Sequence, residues 1–179
     1  MRALLVLAAT LLLPLAAAGA QPADAESELA RYEFYFRQIG EPPRFDADGT
    51  RHFTRRFRLL VLPHGRGPYM VRVDQRGLNA RVRALDLDYD HSYQRLRILR
   101  QQDYALDRDD LAALNALVRA AELERPLEHN ETSQICLGVL YVFQGADERG
   151  VWQADRLWCQ VDPDTQQLID AVALLRPRR

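Results

Sequence analysis

Four consecutive segments with alternating apolar and polar side chains limit the fold more than any other feature of the sequence. They span residues 53–62, 69–74, 79–88 and 93–104, and short polar connections separate them. Alternation with a period of two is typical of strands that have one buried face. Short connections allow successive strands to pair only in antiparallel order. The sequence therefore predicts a four-strand antiparallel meander.

Two helix starts follow the meander. Asp107 has the residue type of an N-cap, and apolar residues recur at helical spacing from Leu111 to Ala121. Asp162 followed by Pro163 predicts a second helix, because proline is favoured at the first helical position. Residues 31–39 allow two interpretations, the end of a short helix or a strand, and their alternating aromatic residues favour the strand.

A hairpin is expected between the two helices, from residues 134–143 and 151–161. Pairing Cys136 with Cys159 across it would place Phe143 opposite Trp152, with the aromatic residues on one face. The predicted fold is thus an α+β domain with a mostly antiparallel sheet. That sheet consists of the four-strand meander and the C-terminal hairpin, with two helices packed on one face.

The first twenty residues have the pattern of an export signal. Met1-Arg2 supplies a positive charge, an uncharged run follows, and Ala18-Gly19-Ala20 offers small residues before a cleavage site at Gln21. We expect residues 1–20 to be a signal peptide and residues 21–179 to be one domain, periplasmic or secreted and without stable membrane insertion. A membrane anchor is the alternative, but the apolar run is short for a bilayer.

The two cysteines, Cys136 and Cys159, are the only ones in the chain. In an exported protein two cysteines are typical of one disulfide bond, and the alternative is a pair of buried free thiols. Residues 57–73, the helix at 107–124 and the hairpin with Arg156-Leu157-Trp158-Cys159 resemble a loose set of small uncharacterised exported bacterial α+β proteins. That set has no assigned activity, so the resemblance implies the fold alone.

Several chemistries lack their residues in this sequence. The chain contains no lysine, which excludes Schiff-base chemistry and a lysine-containing phosphate loop. The histidines show no metal-binding spacing, and the run from Asp86 to His91 lacks the glycine and glutamate of a calcium loop. No cofactor and no metal is predicted, and an enzyme is less expected than a binding protein. A small hydrolase would need dispersed residues, such as His91 with Asp88 or Glu131.

Charge is strongly segregated along the chain. Residues 51–100 hold twelve arginines and four aspartates, whereas residues 101–179 hold eight arginines and fourteen acidic residues. Many of these arginines are two residues apart, which is the spacing of side chains on one face of a strand. We call the set that could lie together on one outer face of the sheet the Arg-rich face. Its members are Arg56, Arg58, Arg81, Arg83, Arg95 and Arg97.

Two explanations of the Arg-rich face compete. It could be a solvated sheet surface whose arginine stems cover apolar atoms. It could also bind an anionic protein or cell-envelope partner, whereas the acidic overall balance argues against nucleic acid. The sequence therefore favours an exported, non-catalytic binding or interaction protein of the bacterial cell envelope. The alternatives are the small hydrolase and a structural accessory domain of an envelope complex.

Overall fold

Six strands form one antiparallel sheet in the computed structural model, which describes residues 32–45, 52–64, 67–90, 95–124 and 138–177. The strand order across the sheet is β4-β3-β2-β1-β5-β6. The strands are β1 (Arg55–Pro63), β2 (Tyr69–Arg76), β3 (Asn79–Asp90), β4 (Arg95–Leu106), β5 (Val139–Asp147) and β6 (Gly150–Leu157). Residues 32–38 form helix α1, and α2 (Arg108–Ala120) and α3 (Pro163–Leu174) follow. The predicted α+β class with an antiparallel sheet is confirmed.

The central strand β1 joins the two halves of the sheet. It pairs with β2 on one side and with β5 on the other, although β5 lies far along the chain. Its middle residues are buried on both faces, because Leu59 belongs to one apolar cluster and Leu60 to the other. A strand covered on both faces can be apolar at consecutive positions, which explains the run from Leu59 to Leu62.

Helices α2 and α3 cover one face of the sheet and begin where the sequence predicts. The Asp107 side chain accepts a hydrogen bond from the Asp110 backbone N–H at 2.9 Å. The Asp162 side chain accepts one from the Thr165 backbone N–H at 2.7 Å. These bonds satisfy amide groups that the first helical turn leaves without partners. The apolar side chains on the inner faces of both helices then pack on Leu59 and its neighbours.

The third helix, α1, corrects the prediction of a strand at residues 31–39. Tyr32, Phe36 and Ile39 are buried, whereas Phe34 is 53% exposed. This spacing of four and then three residues is helical, and the three side chains pack against Leu60 on the face opposite α2 and α3. The aromatic alternation was misleading because Phe34 contributes nothing to the core. Both faces of the sheet are therefore covered, rather than one.

The β5–β6 hairpin has a register different from the predicted one. Phe143 pairs with Ala154, and Trp152 pairs with Gly145, so the pairing is shifted by two residues. A shift of two keeps every side chain on its predicted face, and Phe143 and Trp152 both join the core beneath α2 and α3. The observed register requires glycine at position 145, since a Cβ atom there would overlap the Trp152 indole.

The C-terminal end of the hairpin also differs from the prediction. Strand β6 ends at Leu157, and residues Trp158–Gln160 form a 3₁₀ turn instead of continuing the strand. Cys159 therefore lies in a turn, outside the strand pairing. Cys136 lies outside the described residues, so the Cys136–Cys159 disulfide stays a prediction.

Candidate functional site

Four members of the predicted Arg-rich face lie on the sheet face that α1 covers. Arg58 pairs with Arg72, and Arg72 pairs with Arg83, so these guanidinium groups lie side by side on β1, β2 and β3. Cross-strand partners share a face, and the row continues to both edges of the sheet. We call it the polar row: Asp103, Arg83, Arg72, Arg58, Gln144 and Gln153.

Glu41 supplies an anion to the polar row from within the chain. It follows α1, is only 3% exposed, and accepts hydrogen bonds from Arg72 and from Arg83, the latter at 3.3 Å. Its carboxylate also lies 3.6 Å from Nη1 of Arg58. One buried carboxylate thus lies among three guanidinium groups, which lowers the electrostatic cost of burying them.

Arg58 is fully buried in the centre of the row. Its guanidinium lies over the Phe36 ring at 3.5 Å from the ring centroid, and Nη2 donates to the Pro43 carbonyl at 2.9 Å. Nε donates to the Gln144 side-chain oxygen at 2.9 Å, whereas Nη1 has no hydrogen-bond partner. Burial lowers the pKa of Arg58, and the nearby Glu41 carboxylate opposes that shift. Arg58 therefore holds residues 32–45, which we call the N-terminal segment, on the sheet. Its guanidinium is inaccessible to any binding partner.

The next row on the same face is also partly closed. Arg56 donates to Asp74 at 2.8 Å, and its guanidinium lies over the Phe53 ring at 4.5 Å. Its side chain is 11% exposed. Arg81, across from Asp74, is exposed and has no partner among the described residues. Of the two explanations of the Arg-rich face, a solvated surface does not describe Arg56 and Arg58, whereas Arg81 is exposed.

Arg95 and Arg97 do not belong to this face. The β3–β4 pairing shifts by one residue between Asp86 and Leu87, which is a β-bulge. Leu96 consequently packs with α1, so its neighbours Arg95 and Arg97 point to the opposite face. Arg97 donates to Asp88 at 2.8 Å there. The bulge, which strand spacing alone does not reveal, divides the predicted Arg-rich face into two surfaces.

A cleft that the sequence did not indicate lies at the end of β1, between the β5–β6 turn and the C-terminal end of α2. Its volume is about 390 Å³. Three kinds of side chain line it. The basic ones are Arg55, Arg56, Arg119 and Arg149, the acidic ones are Glu122, Glu124 and Asp147, and the apolar ones are Phe57, Val118, Leu123, Ala146 and Trp152. Four separate segments contribute to the cleft, so no local motif could have predicted it.

Two arginines that line the cleft, Arg55 and Arg119, make no direct contact with a carboxylate within the part of the chain that the structure describes. Arg55 is the one held by a neutral side chain. Its Nη1 donates to the Asn115 side-chain oxygen at 2.9 Å, and Asn115 in turn donates to Gln75 at 3.1 Å. Arg119 follows Asn115 by four residues and therefore lies on the same face of α2. It occupies the last turn of α2, where its charge offsets the partial negative charge of the helix terminus.

Two of the carboxylates that line the cleft, Asp147 and Glu124, form ion pairs with Arg149. The Arg149 guanidinium lies 3.0 Å from Asp147 and 3.4 Å from Glu124. Burial alone would raise the pKa of Asp147, but the hydrogen bonds from Arg149 outweigh it and lower that pKa. Asp147 therefore remains a carboxylate paired with Arg149. Because these carboxylates largely neutralise Arg149, it attracts an anionic ligand only weakly.

Glu122 bounds the cleft just after α2 and has an unusual backbone. Its φ of 40° lies in the left-handed region, which residues other than glycine rarely adopt. Backbone strain of this kind persists only where the surrounding structure holds it in place, and it is enriched at binding sites. The turn directs the chain from α2 to Leu123, which is buried in the core.

The hydrolase alternative named His91, Asp88 and Glu131. His91 and Glu131 lie outside the described residues, and Asp88 is paired with Arg97. His52 and His64 are exposed. Within the described ranges, no group of three or more His, Cys, Asp or Glu side chains is placed to hold a metal ion.

Comparison with known proteins gives no relative for this arrangement. The chain matches no protein-family model, no curated protein and no solved structure at a significant level. The resemblance to small exported α+β proteins thus stays a prediction. Within the described part of the chain, no helix is both long enough and apolar enough to cross a membrane.

Proposed function

We propose that the chain is an exported, non-catalytic binding or interaction protein of the bacterial cell envelope, and that its cleft receives an anionic group of the partner. The observation that carries this proposal is the state of Arg55, which lines the cleft without a carboxylate partner among the described residues. An arginine whose hydrogen bond goes to a neutral side chain keeps most of its N–H donors for a ligand. The export pattern of residues 1–20 supports the location.

The burial pattern favours the cleft over the Arg-rich face as the binding surface. Arg58 is fully buried, and Glu41 already occupies the position that an anionic partner would take among Arg58, Arg72 and Arg83. Arg81 and Arg95 are exposed but lie on opposite faces of the sheet, so they cannot bind one group together. Arg56 alone belongs both to the predicted set and to the cleft.

A fluorescein-labelled hexaglutamate peptide, used as the simplest acidic protein segment, tests the proposal by fluorescence anisotropy. We expect it to bind the mature protein, and to bind more weakly as salt is added, because salt screens charges at the surface. Replacing Arg55 and Arg119 together with glutamine should weaken binding about a hundredfold, since the two lost charge-assisted hydrogen bonds contribute on the order of 1.5 kcal/mol each.

The matched control removes the same charge elsewhere. Arg95 and Arg97 are exposed arginines on the edge strand β4, so replacing both with glutamine lowers the net charge equally without altering the cleft. That variant should bind hexaglutamate as the wild type does. Equal weakening by the two double variants would mean that binding follows net charge alone, and the cleft would be rejected as the site.

A further inference from the structure

We infer that the anionic group received by the cleft is a carboxylate joined to a planar aromatic ring. This inference rests on the proposed function, because both require an anion at Arg55. It adds the chemical class of the ligand. The charges around the cleft favour the carboxylate, and the aromatic residues at its floor favour the ring.

The acidic residues of the cleft favour a carboxylate over a phosphate. Glu122, Glu124 and Asp147 offset most of the charge of the four arginines that line the same cleft, and the remaining formal charge of +1 matches a group with one negative charge better than a group with two. A carboxylate carries one charge and matches the planar guanidinium through two parallel hydrogen bonds. The contact with Asn115 uses Nη1 of Arg55 and leaves its other N–H groups available.

The floor of the cleft favours a planar ring. Trp152 lines the cleft, and its ring centroid lies 6.4 Å from that of Phe57, which also lines it. Gly145 leaves room for the indole, because a Cβ atom at position 145 would overlap it. Offset or tilted pairs of aromatic rings stabilise a contact beyond what their buried area alone contributes. A volume of about 390 Å³ is at the small end of ligand cavities and accommodates one ring with its carboxylate.

Three fluorinated probes separate the ring from the charge by ¹⁹F NMR titration of the mature protein. 4-Fluorobenzoate carries both groups, fluoroacetate carries the carboxylate alone, and 4-fluorobenzyl alcohol carries the ring alone. We expect 4-fluorobenzoate to bind about threefold to tenfold more tightly than fluoroacetate, the gain of one aromatic contact. The alcohol should bind most weakly.

Two variants test which residue binds each part of the ligand. Arg55→Gln should weaken both carboxylates, whereas Trp152→Leu should weaken 4-fluorobenzoate to the level of fluoroacetate and leave fluoroacetate unchanged. Trp158→Leu is the control, because Trp158 is 53% exposed and does not line the cleft. Should Trp152→Leu fail to fold, the indole N–H of Trp152 can be followed in Trp158→Phe, where its resonance should move with 4-fluorobenzoate and remain in place with fluoroacetate.

The outcomes distinguish this inference from the proposed function. Equal affinity for 4-fluorobenzoate and fluoroacetate, with both lost in Arg55→Gln, would overturn the aromatic inference and leave anion binding in the cleft intact. Binding that is unaffected by Arg55→Gln, or no binding of either carboxylate, would overturn both. Tighter binding of inorganic phosphate than of 4-fluorobenzoate would overturn the assignment of a carboxylate.

Discussion

At the scale of single residues, the burial of Arg58 determines how the arginines of this chain are interpreted. Its guanidinium has no contact with water, and it is surrounded by Phe36, the Pro43 carbonyl and Gln144. Such a group is costly to bury, and the carboxylate of Glu41 offsets part of that cost. The strand-spaced arginines of β1 and β2 therefore hold the N-terminal segment on the sheet.

Glu41→Gln tests this structural role. The change would leave Arg58, Arg72 and Arg83 together without their buried anion, and we expect the free energy of unfolding to fall by about 3–5 kcal/mol. Urea unfolding followed by circular dichroism measures the change. Asp88→Asn removes a carboxylate from the exposed pair with Arg97 and should leave the free energy of unfolding nearly unchanged, because solvent screens that pair. A loss for Glu41→Gln as small as that of Asp88→Asn would show that the row needs no internal anion.

At the scale of elements, one contact fixes the hairpin that forms a wall of the cleft. Trp152 pairs with Gly145, and its indole occupies the space where a side chain at position 145 would extend. The register predicted from the cysteines would have placed Trp152 opposite Phe143, and two large aromatic side chains would then have shared one cross-strand position. The observed register relieves this crowding and keeps both residues in the core.

Gly145→Ala tests the contact through a double-mutant cycle with Trp152→Ala. In the wild type the added methyl group would overlap the indole, and we expect a loss of about 1–3 kcal/mol in unfolding free energy. In the Trp152→Ala background the overlap is gone, and alanine should stabilise the strand by roughly 0.5–1 kcal/mol relative to glycine. The sign of the effect should thus reverse between the two backgrounds. The same loss in both would mean that Trp152 does not determine the need for glycine.

At the scale of the whole molecule, the sheet is assembled from two parts that are distant in sequence. The strands β1 to β4 are consecutive neighbours, and β5 returns to pair with β1 after α2 and residues 125–137, whose structure is not described. The predicted disulfide would join residue 136 of that segment to residue 159, after β6. In an oxidising compartment it would tie the connection to the far end of the sheet.

Export and oxidation of the full-length chain can be checked together by mass spectrometry of periplasmic protein. We expect the first peptide to begin at Gln21 and the intact mass to rise by two hydrogen atoms on reduction. Replacing Cys136 and Cys159 together with serine should lower the unfolding free energy by roughly 3 kcal/mol, the chain-entropy value for a loop of this length. A chain that retains residues 1–20, or free thiols in the periplasmic protein, would contradict the prediction.

Local signals in the sequence determined most of the elements of this protein. Period-two alternation located the strands of the meander, and the side chains of Asp107 and Asp162 located the starts of α2 and α3, because these features depend on residues close together in the chain. The same alternation was wrong for residues 32–38, where burial of Tyr32, Phe36 and Ile39 against the sheet selects a helix.

Only the tertiary structure decided which arginines are accessible and where a ligand could bind. The bulge after Asp86, the insertion of Glu41 and the position of Trp152 over Gly145 each depend on residues brought together from distant segments. Arg55 has the same local sequence character as Arg56 and Arg58, yet it alone of the three faces the cleft without a carboxylate partner among the described residues. Charge and spacing are properties of the sequence, whereas burial and pairing arise from packing. In this protein burial and pairing separate the structural arginines from the one proposed to bind.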